Sequence, residues 1–223
     1  MLHHLNFSLK KSKKVLSTSF GAAGFLFVVA YVIATATFAP ATASAVATSS
    51  VVVTLNVTAG IAISSPTNTT MSTALGVSQS TAIGTTTWTV NTNDSAGYTL
   101  GINATTSPAM QSGAATIADY QTGAPNTWSV TSGTAAFGYS VFGTDSPTGT
   151  WGTGTQCAGA ADTNSTTLKY KGFTTSPFVV AQRAATTTPT GISTTVCYAV
   201  QQNNFYVPSG TYTATIVATA TAL

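Results

Sequence analysis

Residues 46–223 predict an all-β domain, an antiparallel β-sandwich of about eight or nine short strands, preceded by a helical signal peptide over residues 1–45. Three observations predict it. Apolar residues alternate with hydroxyl-bearing residues at a period of two, the pattern of strands with one buried face. Clusters of Gly, Pro, Asn and Ser separate these runs. No segment after residue 45 carries the 3.6-residue period of a long amphipathic helix.

The chain opens on a basic patch, Lys10, Lys11, Lys13 and Lys14, followed by the uncharged apolar run Gly21 to Ala39 and by Ala43-Ser44-Ala45. Basic region, apolar run and small-residue cleavage site, in that order, describe a secretory signal peptide, with cleavage expected after Ala45. An uncleaved anchor stays open as the alternative, because the apolar run is just long enough to span a bilayer. Contact with a membrane is expected only through this segment.

Cleavage changes the charge balance. The full chain has a formal net charge of +3. Four of its seven basic side chains and both histidines precede residue 46. The remainder holds Lys169, Lys171 and Arg183 against Asp94, Asp119, Asp145 and Asp162, a net charge of 3 − 4 = −1. So few basic groups exclude a phosphate-binding surface, and nucleic acid is not an expected partner. The hydroxyl- and amide-rich surface lacks the charge repulsion that keeps proteins apart, which favours self-association.

Strands are expected at Val51 to Val57, Thr85 to Val90, Gly97 to Ala104, Thr127 to Val130, Phe137 to Phe142, Thr166 to Phe173, Phe178 to Gln182 and Thr195 to Gln201. The last strand, Thr211 to Thr221, is the clearest. Tyr212, Ala214, Ile216, Ala218 and Ala220 share one face, and Thr211, Thr213, Thr215, Thr219 and Thr221 share the other. Gly210-Thr211-Tyr212-Thr213-Ala214 resembles the tyrosine-corner stretch of immunoglobulin-like domains, which implies an immunoglobulin-like sandwich with the Tyr212 hydroxyl folded back onto the backbone.

Asn91 to Leu100, Ser107 to Met110, Phe137 to Gly143, Leu168 to Phe173 and the closing strand together resemble the secreted, Thr-rich, single-domain β-proteins of uncultivated ultra-small bacteria. That resemblance implies a fold and an extracellular place, not an activity. A more distant similarity, carried by the first apolar strand, its Pro turn and Trp88-Thr89-Val90, is to the WxL cell-wall-binding domains; the closing strand, Val217-Ala218-Thr219-Ala220, lacks their second Trp.

The inventory of reactive groups argues against catalysis. After residue 45 there is no His and no Glu. Ser-His-Asp and Cys-His arrangements are therefore absent, and so is the commonest transition-metal ligand. Paired-carboxylate hydrolysis would have to draw on four scattered Asp residues. No enzyme, no metal and no cofactor is expected. Asp94 and Asp162 stand in loops without a second acid, so turn chemistry is favoured over calcium. Lys169 and Lys171 share a parity opposite Leu168 and Tyr170 and are expected on the outer face of their strand.

Cys157 and Cys197 are the only cysteines, and in an exported chain the pair reads as a disulfide. Trp151, with Gly149, Gly152 and Gly154 around it, and Trp128 are candidate glycan contacts if exposed, and core residues if not. Val51, Val53, Leu55 and Val57 form an apolar row that serves either as an ordinary first strand or as a strand donated to a neighbouring subunit. The sequence thus points to a secreted, cell-surface structural or assembly protein whose partner is itself. The alternative is a monomeric adhesin or carbohydrate-binding module whose partner is a cell-surface glycan.

Overall fold

The computed structural model describes residues 47–157 and 167–223. The chain divides into two compact units, Met1–Leu55 and Asn56–Leu223. Residues 1–45, on which the signal-peptide reading falls, and Asp162 lie outside the described residues.

The described chain is nearly all β. Its elements are β1 (Ile61–Ile63), β2 (Thr81–Thr92), β3 (Tyr98–Ala104), β4 (Met110–Ser112), β5 (Ala115–Asp119), β6 (Asn126–Thr127), β7 (Thr134–Gly143), the short helix α1 (Thr148–Trp151), β8 (Lys169–Tyr170), β9 (Phe178–Arg183), β10 (Ile192–Asn203) and β11 (Ile216–Ala222). The largest sheet has the order β1-β2-β10-β7-β5-β4, the second β11-β3-β9, and β6 pairs with β8. Every pairing is antiparallel except β5 with β7.

β10 is the central strand of the large sheet. It pairs with β2 from Ile192↔Val90 to Gln201↔Thr81 and with β7 from Thr194↔Gly143 to Asn203↔Thr134. Its residues Val196 to Val200 are all buried, which is the near-continuous burial of a strand covered on both faces. Val196, Tyr198 and Val200 join the main core with Phe137, Tyr139 and Val141 of β7 and with Tyr98, Leu100 and Ile102 of β3. This core therefore takes side chains from both larger sheets. Cys197 and Ala199 face the other way, into a second cluster with Tyr120, Trp128, Val130, Leu168 and Tyr170. A side chain on Gly138 of β7 would press against Lys171 O at 2.9 Å and Tyr120 Cβ at 2.9 Å, so only glycine lets these segments lie flat on the sheet.

The other half of the outer face is polar. Thr87 Oγ1 lies 3.0 Å from Thr195 Oγ1, and Thr89 Oγ1 lies 2.9 Å from Ser193 Oγ. Cross-strand hydroxyl pairs of this kind hold register on a solvated face.

The closing segment keeps the expected alternation. Tyr212, Ala214, Ile216, Ala218 and Ala220 are partly buried against the core, and the intervening residues are exposed. Ladder pairing begins only at Ile216, because Thr213 is engaged elsewhere by Gln111. Tyr212 donates its hydroxyl to Pro208 O at 3.1 Å, the fold-back expected of a tyrosine corner.

Four expectations need correction. Residues 51–57 form no strand, and the first strand is Ile61–Ile63. Trp128 to Val130 lie outside β6, because Trp128 turns inward to stack on Tyr120 at 4.4 Å. The Thr166 to Phe173 run narrows to β8, because it crosses the back of β7 at Tyr139↔Lys171 rather than running along a neighbour. Lys171 is buried, not outward, because its ammonium is taken up by the Thr122 and Gly123 carbonyls and lies over the Phe178 ring.

Candidate functional site

The sequence-derived site residues fall into three groups. Cys157 and Cys197 form a disulfide with a Cα separation of 5.2 Å. Cys197 is fully buried on β10, and the Tyr170 hydroxyl lies 3.8 Å from its sulfur. The bond pins the chain following α1 to the central strand of the large sheet.

Trp151 and Trp128 are core residues, so neither ring is available to stack on a sugar. Trp151 is only 1% exposed. It packs on Tyr139 at 5.4 Å and meets Phe178 edge-on at 5.9 Å. The surrounding glycines do not open its loop. Gly152 takes a positive φ of 90°, and a side chain on Gly154 would collide with Leu168. Glycine there lets the loop close tightly over the tryptophan. Trp128 is held between Tyr120 and Tyr170, and its Nε1 donates to Gln201 Oε1 at 2.8 Å.

Val51, Val53, Leu55 and Val57 are the reverse case. They are 84%, 87%, 83% and 75% exposed, and Val52 is 89% exposed. None has a hydrogen-bond partner among the described residues. Just beyond them Asn93 fastens the chain, with Nδ2 donating to Thr58 O at 2.9 Å and Oδ1 accepting from Gly60 N–H at 2.7 Å. An apolar run so exposed is unusual, because contiguous exposed apolar surface marks an interaction site.

Sequence reasoning missed two polar constellations. Asp145 accepts the Tyr98 hydroxyl at 2.7 Å and pairs with Arg183 at 3.2 Å. Burial first, and then the hydrogen bond to Asp145, pushes the Tyr98 phenol far above the ordinary tyrosine value. Burial alone does the same to Tyr139, and raises Tyr198 to about 12. Lys171 is the second. Its ammonium donates to Gly123 O at 2.6 Å and to Thr122 O, and sits 4.7 Å from the Phe178 ring. No carboxylate pairs with it among the described residues, and burial lowers its pKa. Because these partners lie far apart along the chain, no local motif announced either group.

The other two acids among the described residues are held by hydrogen bonds. Asp94 Oδ1 accepts from Ala96 N–H at 2.9 Å. Asp119 accepts from Ser107 Oγ and Ala109 N–H, while burial raises its pKa. Among the described residues, no three His, Cys, Asp or Glu side chains gather as metal ligands. An open groove of ≈ 670 Å³ runs along Gly60–Ala62, Asn91–Asn93 and Thr186–Pro189. Two of its polar side chains are already engaged, Asn93 as above and Thr187 Oγ1 with Thr92 N–H at 3.0 Å.

Among the described residues no helix is long and apolar enough to cross a membrane. Comparison with known proteins finds no family model, curated relative or solved structure that matches the chain.

Proposed function

We propose that this chain is a non-enzymatic, secreted structural subunit of the cell surface that assembles with copies of itself, built on an immunoglobulin-like sandwich. One observation carries the proposal: the alternating apolar run Val51 to Val57 is unpaired and almost fully exposed. Holding that surface in water is unfavourable by about 25 cal/mol per Å², so burial against a partner is strongly favoured. The near-absence of charge after residue 45 removes the repulsion that would oppose self-association. The disulfide fits an oxidising, extracellular place. The immunoglobulin-like form is supported by the core shared between the two larger sheets and by the Tyr212 to Pro208 bond.

A glycan-binding role, the alternative from sequence, loses its aromatic platform with Trp151 and Trp128 in the core. Deleting residues 46–57 tests the assembly role. The exported product should sediment as polymers, and the deletion product as a folded monomer. Polymers of undiminished size after deletion would refute the role given to this segment.

A further inference from the structure

The geometry points to β11 as the acceptor edge for the exposed segment of a second copy, so that residues 51–57 of one molecule add a strand to the three-stranded sheet of the next. This inference rests on the assembly role proposed above and adds where the partner docks.

Among strands of six residues or more, elimination leaves one open edge. β2 is covered along its outer side by β1, by Ser64 at Thr89, by Thr69 at Thr85 and by Ser72 at Ile83. β4 is closed by reciprocal bonds between Gln111 and Thr213, at 3.0 and 2.8 Å. β9 follows Pro177, faces a register irregularity at Leu100/Gly101, ends on Arg183, and has its Gln182 N–H donating to Asp145 O at 3.0 Å. Proline, bulges and charge are the usual means of blunting a strand edge. β11 has none of them: Ile216–Ala222 contains no charge and no proline.

The direction of its backbone groups follows from the register. Thr215 O accepts from Thr105 N–H, and Leu223 N–H donates to Gly97 O, both at the register that pairs Ile216 with Ala104. Odd-numbered residues therefore bond inward to β3. Ile216, Ala218, Ala220 and Ala222 turn their N–H and C=O groups outward, where they meet no partner among the described residues.

The second copy's segment fits this edge in length, parity and charge. Residues 51–57 and β11 are both seven residues long, about 23 Å when extended. Added beside β11, Val51, Val53, Leu55 and Val57 would lie on the core side with Ile216, Ala218 and Ala220. Val52, Thr54 and Asn56 would join the exposed row of Val217, Thr219 and Thr221. Main-chain bonds would supply affinity and the alternate apolar row specificity.

Ala218→Pro removes an outward N–H and leaves the β3 ladder intact, a substitution that edge strands accept. Val53→Lys with Leu55→Lys disables the donor instead. Each variant of the exported chain should lose assembly by at least roughly tenfold. Mixing the two should restore discrete dimers, because one retains the donor and the other the edge. Amide exchange on the unmodified protein tests the same claim if Ala218→Pro fails to fold. The amides of Ala218, Ala220 and Ala222 should exchange fast in dilute monomer and slowly in polymer, while those of Val217, Thr219 and Thr221 stay slow in both. Polymers from Ala218→Pro, or outward amides equally fast in polymer and monomer, would overturn the acceptor assignment and leave the assembly role standing. An unmodified chain that stays monomeric at every concentration would overturn both.

Discussion

Trp151 heads the fully buried side chains by size, and its truncation separates a structural role from a binding one. Trp151→Ala should destabilise the domain by about 3–5 kcal/mol in denaturant unfolding. A loss below about 1 kcal/mol would mean that the ring packs far less tightly than its contacts with Tyr139 and Phe178 imply. Lys171 makes a different point about burial. Its ammonium is satisfied by two carbonyls and an aromatic face but has no counter-charge among the described residues. The folded state therefore binds this proton less tightly than the unfolded chain. Stability gains as pH rises through the range below the ordinary lysine value of 10.5 and levels off above it. Lys171→Met should stay within about 1 kcal/mol of the parent at neutral pH and should lose that alkaline gain. Tyr98, Tyr139 and Tyr198 act in the opposite sense, since their raised pKa values cost stability as pH passes the ordinary tyrosine range. Parent and variant share that cost, so the difference between their pH profiles isolates Lys171. Identical profiles would mean that Lys171 is hydrated.

At the scale of elements, the disulfide joins the segment after α1 to the middle of β10 across 40 residues. Loop-closure entropy for that length gives about 4 kcal/mol. Replacing Cys157 and Cys197 together by Ser should lower stability by about that amount, with β-sheet content in circular dichroism preserved under native conditions. An unchanged denaturation midpoint would show that the loop is already fixed by its other contacts. The elements also show which signals a sequence carries. β2, β3, β7, β9 and β10 are each six residues or longer, and each was legible within a few residues of its bounds. β1 and β4 have three residues each, too short to show a period. β5 pairs in parallel with β7 over two positions only. Residues 51–57 mislead in the other direction. Their alternation is as regular as that of β11, but a strand needs a neighbour, and no described neighbour takes them up. Trp151 stays open between core and surface in the sequence because glycines suggest open loops, whereas here they permit close packing.

For the whole molecule, scarcity of charge sets the character of the surface. Thr and Ser hydroxyls pair across the solvated half of the large sheet, so the surface is wetted without ions and carries little net repulsion. The buried Asp145 carboxylate serves neighbouring side chains, the Tyr98 hydroxyl and the Arg183 guanidinium. What stands out at this scale is a match between two surfaces of one sequence, an apolar segment without a sheet and a sheet edge without a strand. Negative-stain electron microscopy of residues 46–223, purified under oxidising conditions over a concentration series, tests this most directly. Filaments or sheets that lengthen with concentration are the predicted result. Discrete single domains at every concentration would contradict it.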